Sequence, residues 1–429
     1  MIANLMALSV RARWMIIALV LLVSAYGAWQ LTRLPIDAVP DITNNQVQIN
    51  TQDASLSPVE IEKRVTFPVE TAMAGIPGLQ STRSLSRNGF SQVTVIFEEN
   101  VDLYFARQQV SERLVQAQES LPTGVQPQIG PVTTGLGEVF MYAIDYANPG
   151  GRGATVRNGQ PGWQADGSFL TPEGERLTDD VSRAAYLRTV QDWIIAPQLR
   201  TVNGVAGVDT IGGFEKQFVV EPDPTRLAQY GVSFSELADG LEAANLSVGA
   251  NFVERGGEAY LVRADARIRS LSQIEEAIVA TRGGVPVAVR DVANVRLGGD
   301  LRTGGATMNG HEVVIGTTLM LIGENSRTVA RSVGEQLEAT VKSLPPGIKV
   351  TPVLDRSKLV NATIATVQRN LIEGAILVAI ALFLLLGNVR AALIAVLIIP
   401  ISFFMTAIGM NFMGAVSYTH LTLPTKRIV

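Results

Sequence analysis

Three long apolar stretches, one near the start of the chain and two near its end, constrain its fold more than any other feature. They cover residues 14–29, 371–386 and 391–407. A helix needs about 20 largely apolar residues to cross a bilayer. We therefore predict three membrane-spanning helices, the first at about 14–34 and the third at about 391–410, with a large domain between the first and the second.

Flanking residues predict the orientation of this arrangement. Arg11 and Arg13 precede the first stretch, and basic residues favour the cytoplasmic side, so the long central segment is expected outside. Arg356, Lys358 and Arg369 precede the second stretch on the outer side and oppose this orientation, but long translocated domains cross largely regardless of charge. A cleaved signal peptide is the alternative interpretation of the first stretch, although no A-x-A-like cleavage site follows it.

Composition excludes several function classes. Of the 429 residues, 17% are charged, against about 25% in soluble proteins. The net charge of -4 offers no basic surface for nucleic acid, and the absence of cysteine excludes disulfides and thiolate metal sites. No nucleophile elbow, phosphate loop or dinucleotide fingerprint occurs, so we expect neither an enzyme nor a bound cofactor.

The central segment contains two pairs of internal echoes. The ending at 120–125 recurs at 343–348, and the glycine-rich stretch at 74–79 resembles that at 203–208. Each echo stands at the same place in a series of strand, helix, hairpin, helix and strand. We therefore predict an α+β membrane protein whose outer part repeats a ferredoxin-like βαββαβ unit, the second copy being interrupted by an inserted subdomain.

Local signals support this reading. Ser57 and Glu60 form a capping box, and so do Ser233 and Glu236. Apolar spacing after the first box predicts a helix with a kink at Pro68, whose buried residues are Ile61, Val65, Val69, Met73 and Ile76. The dipeptide Asn88-Gly89 predicts a hairpin turn. The segment 149–167 is expected to be an exposed flexible loop.

Several motifs resemble one known family. The string Leu-Pro-Ile-Asp-Ala-Val-Pro-Asp-Ile begins at Leu34, and it is accompanied by the motifs at 65–70, 83–87, 93–97 and 134–138. Together they resemble the heavy-metal branch of the resistance-nodulation-division pumps, which export cobalt, zinc and cadmium or copper and silver. The likeness runs from about residue 1 to residue 413, which makes the chain the expected N-terminal portion of such a pump.

The resemblance implies an architecture and partners. It implies a multi-pass homotrimer in the bacterial inner membrane with a large periplasmic domain, which exports heavy-metal cations by proton antiport with a periplasmic adaptor protein and an outer-membrane channel. By position it implies six parts: membrane helix 1 within 1–37, porter subdomain N1 at 38–133, porter subdomain N2 at 134–215 and 302–355, a docking subdomain at 216–301, and membrane helices 2 and 3 within 356–415.

The resemblance also suggests residues on the substrate path. Glu138, Met141 and Phe214 lie where the porter cleft of the family is lined, although ordinary strand residues are the simpler interpretation. The family's proton-relay carboxylates fall beyond this chain, so no relay residue is predicted within it. The metal itself stays unnamed, because the ten methionines are scattered.

Other ionisable residues receive structural interpretations. We interpret His311 as a hairpin-turn residue, too far in sequence from His420 to form a motif with it. Glu373 is interpreted as an interfacial charge that caps the start of the second membrane helix, and Asp37 and Asp41 as part of a solvated loop.

Residues 416–429 differ in character from the rest, and we interpret them as the translation of a sequencing adapter. Two alternatives to the metal exporter stay open: a drug or hydrophobic-compound exporter of the same architecture, and a non-transporting membrane protein with a large periplasmic domain, such as an export accessory. We expect the isolated chain to confer no metal tolerance, because it lacks the relay.

Overall fold

The fold of the chain is described by a computed structural model covering residues 11–33, 43–53, 55–156, 158–265, 267–299, 304–386 and 389–412. Helices and strands alternate through the central part, while the two ends are helical. The mixed α and β composition is as predicted. The predictions for Asp37 and Asp41 and for the tail at 416–429 lie outside the described residues.

Helix α1 (Arg13–Arg33) is followed by a first unit of four strands and two helices. These are β1 (Gln46–Gln52), α2 (Pro58–Ile61, continuing as Glu62–Thr66 and Phe67–Met73), β2 (Leu79–Arg87), β3 (Phe90–Phe97), α3 (Leu103–Gln118) and β4 (Gln128–Ile129). The strands form one antiparallel sheet in the order β2-β3-β1-β4. This is the strand order of a ferredoxin-like unit.

The second unit begins with the same series. Its elements up to the insertion are β5 (Glu138–Tyr146), β6 (Gly162–Trp163), β7 (Phe169–Leu170), β8 (Arg176–Leu177), α4 (Asp180–Val190, continuing as Gln191–Ile195 and Ala196–Arg200) and β9 (Val205–Ile211). Strands β6 to β8 form a small sheet of their own between β5 and α4.

An inserted subdomain leaves the second unit after β9. It contains β10 (Lys216–Pro222), α5 (Pro224–Tyr230), α6 (Phe234–Ala244), β11 (Ser247–Arg255), β12 (Glu258–Asp265), α7 (Leu271–Glu275), β13 (Ile278–Arg282), β14 (Val285–Ala288), α8 (Val289–Val292) and β15 (Ala293–Gly299). Strands β10 and β15 pair along their whole length, so the chain enters and leaves the insertion through one two-stranded ribbon. A separate apolar cluster, which includes Leu237, Val289 and Val292, forms its core.

The second unit is then completed. Its last elements are β16 (Ala306–Met308), β17 (His311–Met320), α9 (Ser326–Val341) and β18 (Ile348–Asp355). Strand β17 lies between β9 and β5, and β18 pairs with the other edge of β5. The order β9-β17-β5-β18 repeats that of the first unit, as the sequence echoes predict.

Both units share an unusual first helix. A π-helical turn, Glu62–Thr66 in α2 and Gln191–Ile195 in α4, ends two residues before a proline, Pro68 or Pro197. The residue after each turn donates its N–H to the carbonyl five positions back. A proline within a helix removes one hydrogen bond and clashes with the carbonyl four positions back. The wider turn is the local distortion that accompanies the proline in each unit.

The core of the first unit matches its sequence pattern. All five residues of the predicted stripe are buried. Ile61, Val65, Val69 and Met73 lie in α2 and are fully buried, whereas Ile76 follows the helix, which ends at Met73. Each side chain of this size contributes about 1.5–3 kcal/mol when it is removed from water. The hairpin turn forms where predicted, with Gly89 at φ 67°, and the Glu60 carboxylate accepts the Ser57 N–H at 3.1 Å.

Two helices follow β18, namely α10 (Arg356–Leu386) and α11 (Val389–Phe412). The described residues contain two helices long and apolar enough to span a membrane, at Arg13–Gln30 and Arg356–Leu385, and a shorter apolar stretch, Val396–Met410, within α11. Helix α1 packs against α11 closely: a Cβ atom at Gly27 would lie 2.6 Å from the Phe404 carbonyl oxygen. A glycine permits this approach of the two backbones.

One prediction of local structure was wrong in part, and a second was wrong. Part of the segment 149–167 is ordered and buried, because Trp163 packs its ring against Tyr146 and Phe169, with centroids 5.5 Å away in both cases. Glu373 does not cap a helix start, since α10 begins at Arg356 and is continuous through it. The Glu373 carboxylate instead accepts the Nε–H of Arg369, one turn earlier, at 2.8 Å.

Candidate functional site

The sheet of the second unit has two different faces. Side chains of Phe140, Tyr142 and Ile144 point from β5 into the core beneath α4 and α9. Side chains alternate along a strand, so Met141 and Asp145 point from the other side, which we call the outward face. The same alternation holds on β9 and β17, whose partners are fixed by the register.

A partly buried polar network fixes the helix side of this sheet. The Tyr142 hydroxyl donates to Gln191 Oε1 at 2.9 Å, and Gln191 Nε2 donates to the Thr210 hydroxyl at 3.3 Å. Thr210 in turn donates to Asp192 Oδ1 at 2.8 Å, while Arg188 Nε donates to the other oxygen of Asp192 at 2.5 Å. Burial raises the pKa of Tyr142 far above its usual range, so the phenol stays protonated and acts as a donor.

Strand β17 accommodates this network through a glycine. Gly316 lies directly opposite Tyr142 in the register, and a Cβ atom at Gly316 would come within 2.3 Å of the Tyr142 ring. The ring therefore covers the backbone of the neighbouring strand. This close approach requires glycine at position 316.

Two of the predicted path residues lie on one strand. Glu138 begins β5 and is exposed, and Met141 is half-buried on its outward face. Met141 lies opposite Thr317 of β17, which in turn lies opposite Asp209 of β9. Partial withdrawal from water raises the pKa of the Asp209 carboxyl, an effect that the Arg200 guanidinium opposes. The three aligned residues thus present a thioether, a hydroxyl and a carboxyl on one face.

The third predicted residue lies elsewhere. Phe214 follows β9 and packs against the start of the insertion ribbon, where a Cβ atom at Gly299 would lie 2.6 Å from the Phe214 Cβ. The register aligns Ile211, at the end of β9, with Ile315 and Ala143, which places Phe214 toward the Tyr146 end of β5. The structure therefore joins Glu138 and Met141 on one strand but not Phe214 with them.

A cleft of about 270 Å³ opens at that end of the sheet, between β5, β17 and the start of α4. Asp145 and His311 line it, and His311 Nε2 lies 2.5 Å from Asp145 Oδ2. Trp163 and Arg183 form another wall, with the guanidinium 5.7 Å from the centroid of the indole. His311 follows the hairpin turn, as predicted, but it also contacts a strand distant in sequence.

Sequence reasoning did not single out Asp145, Asp209 or Gln191. Asp145 could have been noticed as an acidic residue within an otherwise apolar or aromatic strand, 139–146. Gln191 stands in an apolar stripe of α4, yet nothing local indicates that its partner is Tyr142. Within the described residues, no group of three or more histidine, aspartate or glutamate side chains is arranged to hold a metal ion.

Comparison with known proteins gives a consistent result. The sequence profile of the AcrB/AcrD/AcrF family matches residues 5–425. The chain is 63% identical over 411 residues to the nickel-cobalt-cadmium resistance protein NccA of Alcaligenes xylosoxydans xylosoxydans, and 62% identical to the nickel and cobalt resistance protein CnrA of Cupriavidus metallidurans. Each match covers 96% of this chain and 38% of the relative, so the chain spans a little over a third of their length.

Among solved structures, a crystal structure of a heavy metal efflux pump superposes with a TM-score of 0.80 at 31% sequence identity. The superposition covers 95% of this chain and 38% of that one. The similarity includes the outer units, the insertion and the apolar helices together.

Proposed function

The chain belongs to the AcrB/AcrD/AcrF family of resistance-nodulation-division pumps, and we propose that it acts in the inner membrane as part of a multi-pass exporter of heavy-metal cations driven by proton antiport. The observation that carries the proposal is its similarity to relatives named for nickel, cobalt and cadmium resistance. The relatives are transport proteins, and an enzymatic role has no support from any motif.

The arrangement of the outer units fits this proposal. We assign the first unit, within 38–133, as porter subdomain N1, and the second, at 134–215 and 302–355, as porter subdomain N2. The insertion at 216–301 is then the docking subdomain that faces an outer-membrane channel. A periplasmic adaptor and two further copies of the chain complete the proposed assembly.

The substrate path is proposed to follow the outward face of the second sheet. Met141 and Asp209 offer a thioether and a carboxyl on that face, and Glu138 stands at its entrance. Phe214 is proposed to line the same path nearer the insertion. A cation crossing this face meets ligands that replace part of its hydration shell.

Drug export is the main alternative. A drug path is expected to be lined by aromatic and aliphatic side chains with few charges. The outward face of the second sheet carries Asp145 on β5, Asp209 on β9 and Lys349 on β18, which favours a charged cargo.

A chimaera tests the proposal. Residues 1–412 of this chain replace the corresponding segment of the nickel-cobalt-cadmium resistance protein, and the chimaera is expressed in a host that lacks its own pumps. We expect growth on nickel and cobalt close to that given by the unaltered relative, and no growth advantage from the isolated chain. A chimaera that reaches the membrane but exports neither cation, or that confers only drug tolerance, would contradict the proposal.

A further inference from the structure

The cleft at the end of the second sheet contains an acidic group with little water around it. The Asp145 side chain is 10% exposed, whereas that of His311, at the mouth, is 32% exposed. Asp145 Oδ1 accepts the N–H of Tyr146 at 2.7 Å, which leaves Oδ2 directed at the imidazole. A buried carboxylate is costly unless a cation or several donors compensate it.

The other charges around the cleft do not neutralise this carboxylate directly. Arg183 bonds to Asp180 at 2.6 Å and to the Thr178 carbonyl oxygen at 3.1 Å. Lys349 lies opposite Asp145 in the register but is exposed, and no ion pair joins the two within the described part of the chain. The partner of Asp145 is thus an imidazole, which is charged only when it is protonated.

We propose that Asp145 and His311 form a binding site for a divalent transition-metal cation such as Co²⁺, Ni²⁺ or Zn²⁺. The inference rests on the proposed export of heavy metals and adds a site to it. The neutral imidazole gives its Nε2 lone pair, and the carboxylate gives Oδ2 and one negative charge. Water completes the coordination shell, since the cleft has room for it.

The geometry needs only a small adjustment. Metal–nitrogen and metal–oxygen bonds of about 2.1 Å place neighbouring ligand atoms roughly 3 Å apart. The two atoms now lie 2.5 Å apart, so a rotation of the half-buried imidazole is sufficient. The backbone N–H of Tyr146 donates to Asp145 Oδ1, and this hydrogen bond holds the carboxylate in place while the cation replaces the contact between Asp145 and His311.

The ligand types select a class of cation. Imidazole and carboxylate suit divalent cobalt, nickel and zinc, whereas monovalent copper and silver prefer thiolates and thioethers. Among the described residues, no methionine lines this cleft. Met141 points from the same face of β5 four residues earlier, at about 13 Å by strand rise. The cleft is therefore a binding site separate from Met141, and it lies nearer the insertion.

A titration with Co²⁺ tests the site. The whole chain is purified in detergent through a tag that contains no histidine, and Co²⁺ is then added. Visible absorption measures binding, and electron spin-echo spectroscopy detects an imidazole nitrogen at the cobalt. We expect one such ion per chain. Asp145→Asn and His311→Gln should each weaken binding by about tenfold or more, and His311→Gln should also remove the nitrogen signal.

Three control variants make the result specific. Lys349→Gln removes a positive charge near the site and should tighten binding by about threefold, which a merely damaged fold does not produce. His420→Gln and Glu221→Gln, the latter in an exposed ion pair with Arg296, should leave binding unchanged. Far-UV circular dichroism verifies that each variant is folded.

The inference fails if the unaltered chain shows no imidazole-bound Co²⁺, or if His311→Gln binds with unchanged affinity and spectrum. These results leave the export proposal standing as long as the chimaera still confers tolerance. If the chimaera fails but this chain binds Co²⁺ as expected, the export proposal is contradicted and the metal site stands.

Discussion

The two βαββαβ units share their strand order and the π-helical turn before a proline, yet they differ on both faces of the sheet. The first unit buries a largely apolar core and presents mainly uncharged side chains outward on its central strands, for example Gln48, Asn50 and Gln92, with Arg83 on the edge strand β2. The second buries a polar network beneath its sheet and presents acidic, thioether and imidazole groups outward. One backbone plan therefore supports two sheets whose faces differ in chemistry.

The largest expected loss of stability, and so the strongest test of this contrast, is at Gly316. Gly316→Ala places a methyl group within 2.3 Å of the Tyr142 ring, and overpacking of this kind should destabilise the second unit by about 3 kcal/mol. Urea denaturation of the chain in detergent, monitored by proteolysis of each unit, measures the effect. The double variant with Tyr142→Leu should recover part of the loss; no recovery would mean that Tyr142 is not the cause.

The buried networks offer the next test. Gln191→Leu leaves the Tyr142 hydroxyl without its acceptor, so we expect a loss of about 2 kcal/mol in the second unit. The matched change in the first unit, Thr66→Val, removes the hydroxyl that bonds to Ser86 and Ser91, and it should cost about 1 kcal/mol because serine hydroxyls reorient easily. If Gln191→Leu and Thr66→Val cause equal losses of stability in the same denaturation assay, the two networks contribute equally to their units and the contrast is wrong.

A smaller effect is expected at the helix caps. Hydrogen bonds to Ser182 hold the pKa of Asp179 below its usual range, and those to Ser57 do the same for Glu60. Because both pKa values are lowered by folding, the stabilisation is present above the unfolded-state value near 4 and is lost as the pH falls below it. Asp179→Ala should cost about 1 kcal/mol.

Hydrogen exchange of the first-turn amides of α2 and α4 between pH 6 and about pH 3 measures this loss. Asp179→Asn is the control, because it keeps a capping acceptor and cannot titrate. Protection in the first turn of α4 that falls equally in this variant would contradict the assignment to Asp179.

The smallest change in stability is expected for a substitution on the outward face of the second sheet, at Thr317. Thr317 is 3% exposed, and its hydroxyl has no hydrogen-bond partner within the described residues. Thr317→Val should therefore be neutral or stabilise the second unit by about 0.5 kcal/mol. The same change at the half-buried Thr94 of the first sheet should stay within about 0.5 kcal/mol of zero. A clear destabilisation by Thr317→Val would reveal a partner for its hydroxyl.

Sequence reasoning succeeded where the deciding physics is local or periodic. The stripe of α2 has one buried face, and the Asn88-Gly89 turn needs a positive φ, so both leave a visible pattern. The two sequence echoes located the repeated unit because each occupies the same place in the series of elements. The apolar stretches were likewise visible, although the helical bounds of α10 extend well before the apolar part.

The missed features depend on contacts between distant segments. Asp145 and His311 are 166 positions apart, and neither flanking sequence indicates the other. Trp163 is buried by Tyr146 and Phe169, which no periodicity predicts. The path residues Glu138, Met141 and Phe214 came from resemblance alone, and their role stays a prediction.

The position of the insertion has a consequence for synthesis of the chain. All strands of the first unit lie between Gln46 and Ile129, so that sheet can close as soon as this one segment is free to fold. The second sheet must wait, because β9 ends at Ile211 and its neighbour β17 begins only at His311. Pairings that span so much sequence form slowly. Both edges of β5 therefore stay unpaired until the insertion has emerged, and unpaired strand edges of this kind favour aggregation.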